Sequence, residues 1–417
     1  MKTADPELMR AINRFHVMDA IRRFGPISRV QISDLTELSA ATVSAITGLL
    51  LDDALIVPRQ VGAVRDAARG RPRVMLELNP EAAHVAGVKL APDQITVVVT
   101  NFRADVLNAL SLPIRVDRQP ASVTADLIED GVRRAVADAG LSLSKVNGVC
   151  VGLPGVVERA GAAPASSDLE AWLRALVAEQ LQTTEAAVPS DVVLTEIGIK
   201  SVDIASLASA LATRLGRPVT IDSDVNLVTL AEHWFGHGRG LDDFLVVSIE
   251  HSLGLGIMHD GELFRGANGL SPDFGDLIVH PPAGDGQNTP DRLAALVAVL
   301  RGDQEVNGQP GRRPERADEA AIYADIAVAL GIAIANLITL FAPPKVILAG
   351  AALSVGDALI GPLRAAVAEH TPPSLADVAE IIVHRWEDES WARGAAAMTL
   401  RDLYGAPWNT TGPARHR

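Results

Sequence analysis

At 417 residues, 48% of them hydrophobic and only 4% aromatic, the chain is too long for one core and has the make-up of an α/β protein of about three domains. Its net charge of −14 rules out nucleic-acid binding by the chain as a whole, because an acidic bulk repels phosphate. One cysteine, Cys150, rules out an internal disulfide and a multi-cysteine zinc site, and the polar start (Lys2, Asp5, Glu7) reads as no signal peptide, so a cytoplasmic location is expected.

Taken in chain order, Met9 to Phe24 spaces Ile12, Phe15, Val17, Met18 and Ile21 as the buried face of a helix, which Gly25-Pro26 stops. Ser28, with Gln31 three residues on, is a capping-box pattern opening a short helix through Leu35 that is expected to bury Val30, Ile32 and Leu35. Thr36-Glu37-Leu38 makes a turn and Ser39 caps the next helix. There Val43, Ile46, Leu49 and Leu50 are expected inside, and Ala40, Ala41, Thr42, Ser44 and Thr47 outside. Small side chains let a helix approach base edges in the major groove, and hydroxyls can contact bases or phosphates. Ala54 to Val57 and Val74 to Leu78 read as strands flanking a loop that holds Arg65, Arg69, Arg71 and Arg73.

This order predicts a winged helix-turn-helix over residues 1–80. Its expected DNA contacts are Ser28, Arg29, Ser39, Ala40, Ala41, Thr42, Ser44, Thr47, Arg69, Arg71 and Arg73. An ordinary packed unit with a solvated arginine face is the plainer alternative. Charge favours the first reading: residues 1–73 hold 11 Lys and Arg against 8 Asp and Glu, the remainder 26 against 43. A net charge of only +3 implies weak binding by one copy, so two copies are expected to present two modules to two half-sites.

From Ala83 onward strands and helices alternate. His84 to Leu90, Gln94 to Thr100 and Val106 to Ile114 read as strands, followed by a helix from Ala121 to Ala139 and a strand from Val146 to Leu153. A second series runs through Phe244 to Glu250, Gly254 to His259, Glu262 to Phe264, a helix from Ala320 to Phe341 and a strand from Val346 to Ala349. The repeated order predicts two related lobes with a ligand-binding cleft between them. The apolar run Ile326 to Ala342 contains Asn336 and Thr339 and ends at Pro343-Pro344, which suits a buried helix better than a membrane span.

These residues together resemble the transcriptional regulators of the ROK family (repressors, open reading frames and sugar kinases). The resemblance rests on Asn13-Arg14, Ser28-Arg29, the Ser39 helix, Gly70-Arg71-Pro72, Gly152-Leu153-Pro154-Gly155, Asp222-Ser223-Asp224-Val225-Asn226, Gly254-Leu255-Gly256, Asp260-Gly261, Arg265-Gly266-Ala267-Asn268-Gly269 and Trp391-Ala392-Arg393-Gly394-Ala395-Ala396. It implies an actin-like, hexokinase-like, ribonuclease H-type domain behind the winged helix, usually in dimers or tetramers. Lobe 1 is then expected over residues 81–236, with an insertion at about 158–198 that is either a lid or a surface feature. Lobe 2 covers residues 237–417, with its C-terminal helix packing back toward lobe 1.

Three departures from the family pattern bear on chemistry. Where kinase members have an Asp-x-Gly-Gly-Thr-Lys phosphate loop, this chain has Lys89-Leu90-Ala91-Pro92-Asp93-Gln94; proline removes an amide donor and Asp93 repels phosphate. The second loop, normally Gly-Thr-Gly, reads Glu250-His251-Ser252. Where many members hold zinc, this chain has Pro272-Asp273-Phe274-Gly275-Asp276 and no cysteine from Pro281 to Pro290, so no metal is assigned, and His233 with His237 reads as a surface pair. Asp224 falls where the kinases keep the carboxylate that takes a proton from a sugar hydroxyl, although Asp222 or Asp224 could instead cap the helix that follows.

The resemblance thus implies a non-enzymatic regulator, a repressor of carbohydrate genes without a cofactor. It would bind a double-stranded operator and a sugar or polyol held by Gly155, Asp222, Ser223, Asp224, Asn268, Asp273 and Asp276. Solvated loop carboxylates are the alternative for Asp224, Asp273 and Asp276. A sugar kinase with an appended DNA module, and a regulator with a vestigial cleft controlled by a protein partner, are the other readings.

Overall fold

Helix α1 (Pro6–Phe24) buries Val17, Met18, Ala20 and Ile21 and ends before Gly25-Pro26. In this computed structural model, residues 6–59, 74–91, 93–114, 121–153, 204–250, 253–265, 274–275, 277–280, 291–293, 316–386 and 388–405 are described. Strand β1 (Ile27–Ser28) leads into α2 (Arg29–Thr36), whose start is closed by the expected capping box of Ser28 and Gln31. Glu37 adopts a left-handed φ of 55°, Ser39 accepts a hydrogen bond from the Thr42 amide, and α3 (Ala40–Asp52) leaves at 118° to α2. Two helices at about 90–120° joined by so short a turn have helix-turn-helix geometry. Strands β2 (Ile56–Arg59) and β3 (Met75–Leu78) then form an antiparallel ribbon, and β1 joins at the β3 edge.

Inside this module the burial pattern departs from the periodic expectation at four apolar or hydroxyl positions. Val30, Leu35 and Leu49 point outward, and Thr47 is fully buried. In α3 the inward stripe runs Val43, Thr47, Leu50, spaced four and three residues apart, which places Leu49 on the other side. Thr47 tolerates the core because its hydroxyl donates to the Val43 carbonyl at 2.8 Å and accepts from Arg29 Nε at 2.7 Å.

Behind the module stand two sheets of identical connectivity. The first has the order β6-β5-β4-β7-β8, built from β4 (His84–Ala91), β5 (Gln94–Asn101), β6 (Val106–Pro113), β7 (Val146–Leu153) and β8 (Val219–Ser223). The second has the order β11-β10-β9-β14-β15, from β9 (Phe244–Ile249), β10 (Leu253–His259), β11 (Glu262–Leu263), β14 (Lys345–Ala349) and β15 (Glu380–His384). The short strands β12 (Ile278–His280) and β13 (Asp291–Arg292) pair separately. In each large sheet three antiparallel strands are followed by two parallel ones, the duplicated ribonuclease H-type order expected from the sequence.

Each sheet has an outer and an inner helical layer. Outside lobe 1 lie α4 (Ala121–Asp138) and α5 (Ile204–Leu215); outside lobe 2 lie α7 (Arg316–Phe341) and α8 (Asp357–His370). The apolar run in α7 is long enough to cross a membrane, yet it packs into lobe 2, where Gly331 meets α8 at Ala366. Between the sheets lie α6 (Asp224–Phe235) and the C-terminal helix α9 (Asp388–Leu403). Glycines set the spacing of these inner layers. A Cβ on Gly254 would sit 2.8 Å from Val225, and one on Gly256 would strike Thr229, so α6 seats directly on β10. Gly394 likewise brings α9 onto the backbone of α6 at Leu227, and Gly87 brings β4 onto α9 at Ala392. Gly87, Gly254, Gly256 and Gly394 are therefore packing devices that let the inner helices seat closely.

Candidate functional site

Strand β8 ends and α6 begins at the seam between the two inner layers, and this junction holds the three central residues expected in the cleft. Ser223 is the fully buried N-cap residue of α6. Asp222 Oδ1 accepts from the Ser223 amide and from Asn226 Nδ2, both at 2.8 Å, while its Oδ2 is ion-paired with Arg265 beyond β11. Asp222 therefore fixes the start of α6 and ties lobe 1 to lobe 2. Of the two carboxylates considered as helix caps, it is the one with the structural task.

Asp224 is different. It is only 5% exposed and accepts from the Val225 amide at 2.7 Å, a bond that spans a single residue. Burial pushes its carboxyl up to about 7; nearby Lys89 pulls in the opposite direction and Glu250 adds to the rise. A buried carboxyl whose charged form is disfavoured in this way marks Asp224 as a candidate functional residue.

Of the residues that stand where the phosphate loops would be, Lys89 and Gln94 are described, while Pro92, His251 and Ser252 lie outside the described residues. Lys89 is buried at the end of β4, with Nζ 2.6 Å from Asp388 Oδ1 and 4.5 Å from the centre of the Trp391 ring. Gln94 Nε2 donates to the other Asp388 oxygen at 2.9 Å. This internal network links the β4 hairpin to the start of α9. Sequence reasoning did not find the Lys89–Asp388 pair. A lysine inside an otherwise apolar strand signalled a buried partner, but one almost three hundred residues away in sequence leaves no local trace.

The far end of α6 is anchored too. Glu232, fully buried, accepts from Trp386 Nε1 at 2.6 Å, from His384 Nδ1 at 2.5 Å and from the His237 amide at 2.7 Å. His233 is not a surface residue as expected: it is buried, 3.0 Å from Arg23 of α1, and burial together with Arg23 and Arg22 lowers its pKa to about 3. His237 instead meets the His384 ring, so the two histidines do not converge on one ligand. Cys150 is buried in β7, with burial pushing its thiol up to about 12, and the donor set does not fit a zinc site of the family type.

On the proposed DNA face, Ser39, Ala40, Ala41 and Ser44 are exposed and Thr42 half-buried, which leaves a shallow outer surface on α3. Ser28 and Thr47 do not belong to that surface. Ser28 is buried and its oxygen is committed to capping α2, while Thr47 holds Arg29 in place from inside. Arg69, Arg71, Arg73, Gly155, Asn268, Asp273, Asp276 and the 158–198 insertion lie outside the described residues.

Comparison with known proteins agrees with this architecture. The model of the ROK family matches residues 85–402. A putative xylose repressor of Caldicellulosiruptor sp. (strain Rt8B.4) is 25% identical over 96% of this chain and 98% of its own length. The glucokinase of Thermotoga maritima is 29% identical but covers 48% of this chain and 71% of its own. Among solved structures, a ROK family transcriptional regulator, homologous to the E. coli MLC protein, superposes with a TM-score of 0.65 at 23% identity, covering 95% of this chain and 97% of its own.

Proposed function

The chain belongs to the ROK family, and from that premise we propose that it is a DNA-binding repressor of carbohydrate genes whose operator affinity is changed by a sugar held between its lobes. The observation that carries this reading is a pairing of features in one cleft: Asp224 is kept, while Lys89 and Asp388 close on one another where a phosphate loop would have to open. A carboxylate alone can bind a sugar hydroxyl. Phosphoryl transfer also needs backbone donors and a cation around the phosphates, and here Lys89 is already neutralised while Glu250 repels. The chain is on this reading a sensor and not a kinase. The end-to-end match to a xylose repressor, against a half-length match to a glucokinase, favours the same side.

Because Lys89 is already paired with Asp388 and the buried Asp224 would repel a phosphate when charged, a neutral sugar is favoured over a sugar phosphate. Asp224 is the residue we assign to the sugar, with Gly155, Asn268, Asp273 and Asp276 as further contacts; Asp222 and Ser223 shape the site from behind. On the DNA side, Ser39, Ala40, Ala41, Thr42 and Ser44 approach the bases, while Arg29 and the wing arginines Arg69, Arg71 and Arg73 meet phosphates. Two or four copies would present such modules to paired half-sites. Calorimetry with D-xylose, D-glucose, N-acetylglucosamine and their phosphates, followed by a DNA gel shift with whichever binds, tests the proposal. A free sugar should bind and alter the shift; tighter binding of the phosphorylated form, or ATP turnover abolished by Asp224→Ala, would reject it.

A further inference from the structure

Among the described residues, the N-terminal module meets the rest of the chain through the linker after β3 and along α1, where Arg14 also lies against Gly405 just past α9. The linker after β3 is held to lobe 1, where the Phe102 amide donates to the Pro80 carbonyl at 3.1 Å. The C-terminal turn of α1 rests on α6: the Arg22 guanidinium lies 4.3 Å over the Trp234 ring, Arg23 reaches His233 at 3.0 Å, and Arg239 donates to the Arg23 carbonyl. Asp19 grips both arginines from within α1. Helix α6 follows directly on β8 of lobe 1 but packs on lobe 2: Gly254 and Gly256 seat it on β10 and Glu232 ties it to His384 of β15, while Gly394 of α9 rests on its other side.

Trp234 also meets lobe 1. Its ring stacks on Tyr404, at the end of α9, with 5.4 Å between centroids and 4° between planes, and Tyr404 is held by a 2.6 Å hydrogen bond to the Phe102 carbonyl. A flat stack resists separation but has no hydrogen-bond register to stop it sliding. At its other end α6 begins beside Asp224 and the interlobe pair of Asp222 with Arg265. Twelve helical residues at about 1.5 Å each make a stiff rod of roughly 18 Å between the two ends.

We propose that the Arg22–Trp234–Tyr404 stack is the joint through which the lobe arrangement set at the cleft is passed to the DNA-binding module, with Arg22 and Trp234 as positioning residues. The module stands with one foot on each lobe, so a slide of α6 against α9 turns it about the lobe 1 linker. This rests on the regulator reading given above, but its test needs neither sugar nor DNA, so the two can fail separately.

The test measures spin-label distances in the full chain between Ala45→Cys on α3 and Ser144→Cys on lobe 1, both exposed sites, with the buried Cys150 left unlabelled. Arg265→Gln, which breaks the interlobe pair at the cleft, should move the main distance by at least about 2 Å, the scale of helix shifts at switching interfaces. Adding Arg22→Met should abolish that movement, whereas Tyr404→Phe, which keeps the stacked ring, should preserve it. Arg23 still pairs with Asp19 in Arg22→Met, and Trp234→Phe gives a second route should that variant fold poorly. No movement in Arg265→Gln, or a movement that survives loss of Arg22, overturns the proposal.

Discussion

Asp224 carries a free-energy cost that its neighbours only partly offset. Its carboxyl rises from the ordinary 3.8 to about 7, chiefly through burial. Between those values the folded state holds a proton that the unfolded state has released, so stability falls as pH rises from about 4 to about 7 and then levels off. Asp224→Asn removes this slope and keeps an oxygen for the Val225 amide. We expect the variant to be more stable than wild type at pH 8, by on the order of a few kcal/mol at most, and to lose sugar binding; denaturant unfolding at pH 5 and pH 8 reads the first effect and calorimetry the second. His233 has the opposite sign: with its pKa lowered to about 3, its contribution is lost as pH falls below about 6.5, and it is common to both proteins, so their difference isolates Asp224. The candidate carboxylate was legible from its place in Asp222-Ser223-Asp224-Val225-Asn226. The separate tasks of Asp222 and Asp224 were not, because they depend on Arg265 and Lys89, which the fold brings in from distant strands.

The elements were more legible than their faces. Strand β7 spans the residues its apolar run predicts, and the strands of the first series end within a residue of expectation, because period and turn residues are local properties. Faces failed where a polar side chain found a partner inside: the Thr47 hydroxyl is satisfied by Val43 and Arg29, and that admits it to the core in place of Leu49. Thr47→Val therefore keeps the core and frees Arg29, and DNA affinity is expected to fall about three- to tenfold with the melting temperature nearly unchanged, as a titration by fluorescence anisotropy would reveal. Ser39→Ala removes the α3 cap and should cost about 1 kcal/mol in chemical unfolding. At the layer contact, Gly394→Val would drive a side chain into the α6 backbone at Leu227, and a loss of at least about 1–3 kcal/mol is expected from the same measurement.

At the core of the described residues the layers run sheet, α9, α6, sheet, with outer helices on both sides and the N-terminal module braced against the end of the two inner helices. The duplicated order of strands made the two lobes readable in advance, because each lobe repeats one local pattern. The bracing of α1 on Trp234 was not readable, since nothing in residues 6–24 distinguishes a docking arginine from a solvated one. On the proposed function, sugar binding and DNA binding are two readouts of one lobe arrangement, and linkage then requires that each change the other by the same factor. The most direct check is an anisotropy titration of operator DNA, selected from a random pool, with and without saturating D-xylose, beside a calorimetric titration of D-xylose with and without that DNA. The account predicts that both affinities change by one common factor, of about 5–150-fold. A sugar that binds with Asp224 intact yet leaves DNA affinity untouched would contradict it.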